Sequence, residues 1–379
     1  MKKILQLSHT DISFDSRILK EINAALNSGY NVLGIGMKAK DEDIGFRDSN
    51  NSANIISLSI ITRKWHYLPR YIKNPIVYLE FFFKSLPKAV SFQPNIIHCN
   101  DTTALPIALV TKLGTGARLI YDAHELESNK NGQGKLSGFL IKLLEKLSWR
   151  FIDGLIVVSP SIKDWYQTNI GYKKVVIVMN SPVLDGSSNE RNNSYLREYF
   201  NIPRKECIFI YIGGLGAGRG IKLIKDIFTD FSLSSHIVFM GYGTYFDELV
   251  ELSKKHRNIH VHPAVTHDKV VSIARSADVG MCLIEDISLS DYYCLPNKLF
   301  EYCFAGIPVL ASDFPDIRSV VTDYKLGLVS SLETDKLKEA VKEFEKNNVD
   351  VSFNICDLQP LSWDEQAKKL LGLYHEVLN

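Results

Sequence analysis

The sequence predicts an α/β protein made of two doubly wound domains. Short apolar runs alternate with helical patterns along the chain, which is typical of βαβ units and parallel sheets. At 379 residues the chain is long for a single core, so two domains are the default. The most polar stretch, 185–194, predicts a linker between a first domain at 1–184 and a second at 195–362. Two such domains would face each other across a central cleft, with ligands at the carboxyl ends of the strands.

Seven apolar runs predict the strands of the first domain, and a helix is predicted after the first of them. That helix covers about residues 15–27, with Ile18 and Ile22 on one face, and Gly29 ends it. The polar stretch 38–54 predicts a loop. The predicted strands are 4–7, 32–35, 55–58, 96–98, 119–121, 155–158 and 175–178.

Six further apolar runs predict the sheet of the second domain, and a helix is predicted at the end of the chain. That last helix runs from Trp363 to Leu378, with Ala367, Leu370 and Tyr374 at the spacing of one helix face. The predicted strands are 208–212, 237–240, 259–261, 279–284, 309–311 and 326–329.

The composition is that of an ordinary soluble protein, and it excludes some classes of function. With 45% hydrophobic and 23% charged residues and a formal net charge of +1, no global field draws the chain to nucleic acid, so anion binding must be local. The six cysteines form no Cys-x-x-Cys pair, which predicts reduced thiols in the cytoplasm. No stretch has the length of a membrane span. The first apolar run is broken by Gln6 and Ser8, which predicts a strand rather than a signal sequence.

The stretch 292–312 predicts a turn, a short helix, a second turn and a buried strand. Pro296 suits the start of a helix. Asn297 and Lys298 then fall in the first turn, where free N–H groups and the helix dipole favour an anion. Glu301 follows about one turn later. A carboxylate for sugar hydroxyls beside a phosphate-sized anion site is the layout of a nucleotide-diphosphate pocket.

A glycine-rich turn at 213–220, after the first strand of the second domain, is the second candidate for phosphate binding. Its glycines would let the backbone approach a phosphate, and Arg219 can clamp the phosphate oxygens. The spacing does not fit Gly-x-Gly-x-x-Gly, so a dinucleotide fingerprint is a poor match. The alternative is a tight turn with one solvated arginine. The phosphate interpretation is favoured because this turn and the Glu301 helix both lie at strand ends of one domain, where Lys298 can supply a second cation.

These two motifs resemble the nucleotide-sugar signature of the retaining glycosyltransferases of family 4, which have the GT-B fold. The pattern Leu-Pro-Asn-Lys-Leu-Phe-Glu-Tyr followed by Ala-Gly-Ile-Pro-Val is one variant of that signature. The resemblance implies that Glu301 binds the ribose hydroxyls of the donor. Three positions depart from the usual pattern: Tyr293 replaces a first glutamate, Gly214 replaces an arginine and Arg219 replaces a lysine.

The resemblance also implies features outside these motifs. The C-terminal helix, 363–379, would cross back and complete the first, acceptor-binding domain. The donor would be a nucleotide-diphosphate sugar, and the acceptor a glycan or a lipid-linked molecule. No cofactor and no metal are expected, because GT-B enzymes generally work without a bound metal and no His/Cys cluster here has ligand spacing.

The segment Tyr-Asp-Ala-His-Glu at 121–125 resembles an Asp-x-His-Glu segment of the same family. The resemblance implies that His124 lies near the transferred sugar, a role that suits a side chain able to donate or accept a proton near neutral pH. The alternative is a loop histidine that caps the next helix. Glu125 would orient either the acceptor or the structure.

Two further strand-end segments of the first domain offer acceptor-binding candidates. In the loop after the first strand, Asp15 is best interpreted as a helix N-cap, and Arg17 could face the cleft. Asp101, after another strand, could contact the acceptor hydroxyl. The segment 63–88 mixes aromatic and basic residues, so it could lie on an anionic bilayer or form domain core with solvated lysines.

The predicted function is transfer of a sugar from a nucleotide-diphosphate sugar to an acceptor hydroxyl with retained configuration, in bacterial surface polysaccharide or lipopolysaccharide synthesis. The enzyme would work in the cytoplasm, at the inner face of the cell membrane. The alternatives are a nucleotide-sugar epimerase or hydrolase of the same fold and a non-catalytic nucleotide-sugar-binding relative. The predicted catalytic residues are His124, Arg219 and Lys298. The predicted donor-binding residues are Gly213, Gly214, Gly218, Arg219, Tyr293, Pro296, Asn297, Lys298, Leu299 and Glu301, and the predicted acceptor-binding residues are Arg17, Asp101 and Glu125.

Overall fold

The computed structural model describes residues 1–39, 54–183, 194–230, 232–349 and 351–379. Their contacts separate the chain into two compact units, one of Met1–Val178 with Ala367–Asn379 and one of Met179–Gln366. The predicted linker, 185–194, lies outside the described residues except for Ser194, as does nearly all of the predicted loop 38–54. The predicted boundaries of the domains stay predictions.

The first unit contains seven parallel strands, at the places that the apolar runs predict. They are β1 (Lys3–Leu7), β2 (Asn31–Met37), β3 (Asn54–Leu58), β4 (Ile96–Asn100), β5 (Arg118–Ala123), β6 (Gly154–Val157) and β7 (Val175–Ile177). Their order in the sheet is β3-β2-β1-β4-β5-β6-β7. The order reverses between β1 and β4, and doubly wound sheets bind ligands at the carboxyl ends of the strands beside such a reversal.

Helices connect these strands and cover the sheet of the first unit. They are α1 (Ser16–Asn27), α2 (Arg70–Phe92), α3 (Asp101–Thr115), α4 (Lys135–Ser148) and α5 (Pro160–Asn169). Helices α2, α3 and α4 pack side by side. The central strands read as continuous apolar runs because they are buried on both faces, and every residue of β4 and β6 is buried.

The second unit repeats the same design with six parallel strands. They are β8 (Ile208–Gly214), β9 (His236–Tyr242), β10 (Ile259–Pro263), β11 (Val279–Cys282), β12 (Val309–Ser312) and β13 (Gly327–Ser330), in the order β10-β9-β8-β11-β12-β13. Its helices are α6 (Tyr195–Phe200), α7 (Ile221–Phe228), α8 (Phe246–Ser253), α9 (His267–Ala274), α10 (Leu289–Tyr292), α11 (Asn297–Ala305), α12 (Pro315–Asp323) and α13 (Thr334–Glu345). The reversal here lies between β8 and β11, so their carboxyl ends flank the expected ligand position.

The last helix, α14 (Trp363–Leu378), starts in the second unit and ends in the first, because residues from Ala367 onward group with the first unit. Its Tyr374 hydroxyl lies 2.6 Å from Nδ1 of the buried His98. Leu373 packs onto Gly154, where an added Cβ would lie 3.1 Å from the leucine side chain. The predicted crossing of the C-terminal helix is confirmed. None of the helices within the described ranges combines the length and the apolar character needed to cross a membrane.

Candidate active site

The glycine turn after β8 adopts backbone conformations that favour glycine. Gly213, Gly218 and Gly220 have φ values of +121°, +81° and +71°, and a Cβ on Gly220 would lie 2.6 Å from Leu283. Glu285, in the loop after β11, holds the turn from the other side. Its N–H donates to the carbonyl of Gly218 at 3.0 Å, and its carboxylate accepts the N–H of Gly220 at 3.1 Å. The two loops that flank the sheet reversal are thereby tied together.

Helix α11 places the second predicted motif beside this turn. It starts at Asn297 after an extended Pro296, and it ends at Gly306, whose φ is +74°. The helix packs close to the sheet because Gly280 of β11 has no side chain; a Cβ there would lie 2.2 Å from the ring of Tyr302. The Tyr302 hydroxyl also accepts a backbone N–H from β8 at 2.9 Å. These contacts hold the first turn of α11 near the end of β8.

Lys298, in the first turn of α11, has a buried ammonium group without a hydrogen-bond partner in the described chain. The residue is 8% exposed, and Nζ lies 3.6 Å from the centroid of the Tyr211 ring. It is also close to the backbone of Gly213, where an added Cβ would lie 3.9 Å from Nζ. The pKa of Lys298 is lowered to about 7, mainly by burial and also by the neighbouring positive charge of Arg219. Within the described residues this group therefore has an aromatic contact and no hydrogen-bonded anion.

Arg219 and Glu301 act on the Lys298 ammonium group with opposite charges. Arg219 lowers the pKa of Lys298, and Glu301 raises it. The Arg219 side chain is 43% exposed, and its guanidinium lies 3.7 Å from the carboxylate of Asp291. Glu301 is partly buried. The second unit therefore brings together the two predicted phosphate cations and the predicted ribose carboxylate.

The other predicted donor residues differ in their access to a ligand. Gly214 and Asn297 are exposed, and Tyr293 is partly buried at the end of α10. Leu299 is fully buried in the core of the second unit, and its N–H donates to the carbonyl of Pro296 at 3.0 Å. Neither the side chain nor the backbone N–H of Leu299 is open to a ligand. Its role is packing, because it is an apolar residue in the first turn of a helix that faces the sheet.

In the first unit, His124 follows β5 and is surrounded by polar side chains. Its Nε2 donates to the side-chain oxygen of Asn100 at 3.1 Å and lies 3.5 Å from Asp122, while Nδ1 lies 3.8 Å from Asp101. Burial lowers the pKa of His124, but the two carboxylates outweigh burial and raise the pKa to about 10. The imidazole is therefore charged at neutral pH, and both of its nitrogens are donors.

Asp101 lies at the junction of β4 and α3 with a left-handed backbone, at φ +64°. Such a conformation costs a non-glycine residue roughly 1–3 kcal/mol and is concentrated at functional sites. The Asp101 carboxylate lies 3.9 Å from Nδ1 of His9.

Nearby, burial and Asp101 raise the pKa of Glu127 to about 8. Lys130 pairs with Glu127 at 2.6 Å and lies 3.9 Å from the exposed Glu125.

Arg17 does not lie on a ligand-facing surface, contrary to the prediction. It is 3% exposed, its guanidinium donates to both oxygens of Asp122 at 3.0–3.1 Å, and it lies 3.2 Å from Glu21. Asp15 caps α1 as predicted, by accepting the N–H of Arg17 at 3.1 Å. Because Arg17 is fully engaged, it orients Asp122 beneath His124 instead of contacting an acceptor.

Three residues in the first unit have ligand atoms within 4.8 Å of one another, Glu21, His98 and Asp122. The spacing analysis missed this group because its members come from three distant segments. Arg17 already pairs with both carboxylates, and His98 also contacts Tyr374. The guanidinium fills the place that a metal cation would take, so we assign no metal to this group.

A cavity of about 670 Å³ opens beside His9 in the first unit. Tyr78 lines it, and the buried Tyr78 hydroxyl has no hydrogen-bond partner in the described chain. The described lining has no carboxylate and five basic side chains, His9, Arg63, His66, Arg70 and Lys73. For the segment 63–88, a core and a membrane interpretation were both open. The structure buries Phe81 in the core and places Arg63, Arg70 and Lys73 in the wall of this cavity. Four other large side chains stay 52–78% exposed, namely Tyr67, Tyr71, Leu79 and Phe83, so both interpretations stay open.

Sequence reasoning missed four residues that shape the two clusters: Tyr211, Glu285 and Asp291 in the second unit and Glu127 in the first. Asp291 could have been found, because Ser288 three positions earlier forms a capping pattern with it, and the Ser288 hydroxyl accepts the N–H of Asp291 at 3.1 Å. Glu285 directly follows the predicted strand 279–284, so it lies at a strand end. Tyr211, inside an apolar run, gave no signal.

Two parallel sheets of the 3-2-1-4-5-6 type, each with candidate residues at its reversal, define a GT-B fold. Sucrose-phosphate synthase from Thermosynechococcus elongatus shares it with a TM-score of 0.78 and 16% identity, over 100% of this chain and 99% of that chain. Anabaena HepE in complex with UDP-glucose shares it with a TM-score of 0.74 and 12% identity, over 99% and 100%. Two family models match the sequence, Glycosyltransferase Family 4 at 40–181 and Glycosyl transferases group 1 at 194–369. The chain belongs to the group 1, family 4 glycosyltransferases.

One curated relative is the chitobiosyldiphosphodolichol beta-mannosyltransferase of Candida albicans. It is 22% identical over 273 residues, which cover 65% of this chain. The match spans 59% of the length of that relative.

Proposed function

We propose that this protein transfers a sugar from a nucleoside-diphosphate sugar to an acceptor hydroxyl with retention of anomeric configuration. The observation that carries the proposal is the buried ammonium group of Lys298 beside the glycine turn, which has no hydrogen-bond partner among the described residues. A buried charge without a partner is costly. Such a group is retained where a ligand supplies the missing partner, and a diphosphate fits a cation placed between a glycine turn and a helix N-terminus.

The residues around Lys298 support a role in holding the donor. Gly213 and Gly214 present backbone without side chains, so phosphate oxygens can approach, and Arg219 would add a charge-assisted hydrogen bond. Glu301, partly buried one turn after Lys298, would accept hydrogen bonds from the ribose hydroxyls. The start of α11 would contribute the positive end of its dipole.

The same cations suit the chemistry of the transfer. As the bond between sugar and diphosphate lengthens, negative charge grows on the leaving diphosphate. Lys298 would stabilise that charge without rearranging, because it is already buried beside the glycine turn, and Arg219 would add a second positive charge. No carboxylate is assigned as a nucleophile; the leaving phosphate would help to take the proton from the acceptor hydroxyl, which then attacks from the same face.

The cluster around His124 supports a role with the transferred sugar. The imidazole is held charged by Asp101 and Asp122, so it would donate a hydrogen bond to a sugar hydroxyl or carbonyl oxygen and would not act as a base at neutral pH. Asp101, strained and 3.9 Å from His9, is the candidate to accept a hydrogen bond from the acceptor. Glu125, being exposed, is free to contact the acceptor as well.

The basic cavity supports an acceptor that carries an anionic group. Its described lining contains Arg63, Arg70 and Lys73 and no carboxylate, and its His9 lies 3.9 Å from the carboxylate of Asp101. The Candida relative is named for an acceptor linked to dolichol through a diphosphate. We therefore place a lipid-linked phosphate or diphosphate of the acceptor in this cavity. From the family resemblance alone, we further propose that the enzyme works in the cytoplasm at the inner face of the membrane, in bacterial surface polysaccharide or lipopolysaccharide synthesis.

The test is to incubate the purified protein with a panel of nucleoside-diphosphate sugars and to follow nucleotide release with and without lipid extract. Release that requires the extract supports transfer. Release without it indicates a hydrolase or an epimerase, and binding without release indicates a non-catalytic relative; each of these results contradicts the proposal. NMR of the product anomer tests retention, which a product of inverted configuration would contradict.

Two substitutions test the placement of the donor. Arg219→Ala and Glu301→Ala should each weaken binding of the active nucleotide sugar about tenfold or more, since a hydrogen bond to a charged group contributes about 1.5–3 kcal/mol. Isothermal titration calorimetry measures the change. Unchanged affinity in both variants would show that the donor binds elsewhere.

A further inference from the structure

Helix α4 is oriented with its apolar face toward solvent. Leu136, Phe139, Leu140, Leu143 and Leu147 are between 40% and 73% exposed, and their spacing of three, four and seven residues puts them on one face of the helix. We call these five side chains the α4 face. A helix of a globular protein normally turns such a face toward the core, so this face lacks the surface that would cover it.

The opposite side of α4 is anchored by a buried carboxylate and a close backbone contact, which fix the rotation of the helix. Glu145 is fully buried, and its carboxylate accepts hydrogen bonds from the hydroxyls of Tyr121 at 2.9 Å and Tyr166 at 2.5 Å. Gly138 lies against the carbonyl of Ser128, where a Cβ would be only 2.5 Å away. The helix cannot turn to bury its leucines without breaking these contacts.

The exposed charges of residues 135–150 are all positive. Residues 135–150 contain Lys135, Lys142, Lys146 and Arg150, and their single carboxylate is the buried Glu145. Lys142 lies against the Trp165 ring and donates to a side chain of α5, while the other three cations are exposed. An apolar stripe bordered by cations is the pattern of helices that lie in the interface of an anionic bilayer.

The neighbouring helix α3 also exposes apolar side chains. Helix α3, which packs beside α4, exposes Val110 and Leu113 at 40% and 72%. A second copy of the chain is a poor occupant, because a two-fold contact through this face would bring identical rows of cations together. Anionic lipid would cover the leucines with its acyl chains and pair the lysines with its phosphates.

We propose that the α4 face docks on the surface of a bilayer that contains anionic lipid. The apolar side chains would enter the boundary between headgroups and acyl chains, with α4 parallel to the membrane plane, and the cations would contact lipid phosphates. This surface is distinct from the segment 63–88, of whose cations Arg63, Arg70 and Lys73 line the cavity. The proposal does not depend on the transfer reaction, because it concerns binding to lipid alone.

The test is flotation of the full-length protein with vesicles of phosphatidylcholine containing 30% phosphatidylglycerol and with vesicles of pure phosphatidylcholine. We expect binding to the mixed vesicles and at least fivefold weaker binding to the neutral ones, since each cation near an anionic surface contributes about fivefold. The double variant Phe139→Glu/Leu143→Glu should bind the mixed vesicles at least tenfold more weakly. Its melting temperature should be unchanged, because both side chains are exposed.

The matched control is Tyr71→Glu/Phe83→Glu, which introduces the same two charges on α2, where these side chains are 78% and 67% exposed. It should bind mixed vesicles as well as the wild type. A neutral variant, Phe139→Ser/Leu143→Ser, separates lost insertion from added charge and should also bind more weakly. Failure of the wild type to bind, equal binding by the α4 variants, or equal loss in the control would overturn the proposal. So would a wild-type dimer that Phe139→Glu/Leu143→Glu converts to a monomer without any vesicle binding.

Discussion

Replacing Lys298 by methionine should weaken donor binding and at the same time stabilise the protein. Methionine has a similar length and can keep the contact with the Tyr211 ring, since thioethers pack well against aromatic rings. It removes the ammonium group, whose burial is not offset by a hydrogen bond in the described chain. A substitution that only damaged the fold would lower both affinity and stability, so opposite signs identify the role of this side chain.

The size of the stability gain follows from the pKa. In the folded protein, burial lowers the pKa of Lys298 to about 7, while an exposed lysine in the unfolded chain has a pKa of about 10.4. The unfolded chain therefore binds the proton more tightly, and the cost of folding is fully present below pH 7 and disappears as the pH rises toward 10. Replacing a buried ion pair by apolar groups of similar volume is often neutral or stabilising by about 1–4 kcal/mol, and we expect a gain on this scale for the single buried ammonium group of Lys298. At about 2–4 °C per kcal/mol, the melting temperature should rise by several degrees at pH 6.5.

The size of the expected loss of donor affinity follows from the hydrogen bond that the ammonium group would donate. A hydrogen bond to a charged group contributes about 1.5–3 kcal/mol, so the Kd should rise about 10- to 150-fold. In the wild type, Lys298 must be protonated to bind, and affinity should fall by up to about tenfold per pH unit above pH 7. The variant should show no such slope. A nucleoside-diphosphate sugar is the better probe, because a free terminal phosphate titrates near pH 6.

Calorimetric titrations between pH 6 and 8.5, with melting curves at each pH, make the comparison. Lys222→Met is the matched control: Lys222 also lies over a tyrosine ring, at 5.8 Å from the Tyr245 centroid, but it is exposed on α7. It should change neither the affinity nor the melting temperature at any pH. The reasoning is refuted if Lys298→Met binds the donor as tightly as the wild type, or if it melts at a lower temperature.

Three further predictions concern other parts of the molecule. His124→Gln should lower kcat at least tenfold with little change in donor Kd, and wild-type kcat should show no step from this group between pH 6 and 8, since its pKa is about 10; a donor Kd that changes as much as kcat would contradict this. Lys73→Ala should raise KM about fivefold or more for a phosphate-linked acceptor and not for its neutral analogue; equal effects on both would contradict the placement of the anion. Burial, with His236 beside it, lowers the pKa of His260 to about 4, so the unfolded chain binds that proton more tightly. Stability should then fall as the pH drops from about 6.5 toward 4, and His260→Gln should flatten that dependence of the melting temperature; an unchanged slope would exclude His260 as its source.

The fold could be predicted from the sequence because strand burial leaves a direct pattern. All thirteen predicted strands of the described chain are present, since a strand buried on both faces of a parallel sheet must be continuously apolar. Helix ends were predictable where one residue decides them, as Asp15 does at the start of α1 and Gly306 at the end of α11.

The chemistry of the site could be predicted only where a motif is contiguous. Lys298 and Glu301 are three residues apart on one helix, so their proximity follows from helix geometry. Arg17 was misplaced because its hydrogen-bond partner Asp122 lies 105 residues away and is brought to it only by tertiary packing. An arginine beside a predicted N-cap gives no sign of whether its side chain points inward to a buried carboxylate or outward to a ligand.

The pKa values of His124 and Lys298 shift in opposite directions because different numbers of carboxylates surround the two side chains. His124 is surrounded by carboxylates from two strand ends, so its charge is permanent and its pKa rises. Lys298 is buried against Tyr211 with a second cation nearby and only one partly buried carboxylate raising its pKa, so its charge is marginal. A site whose own countercharge is incomplete is stabilised when an anion arrives, and it returns to an unfavourable state when the anion leaves. This electrostatic imbalance in the second unit is why we propose that Lys298 binds the diphosphate of the donor.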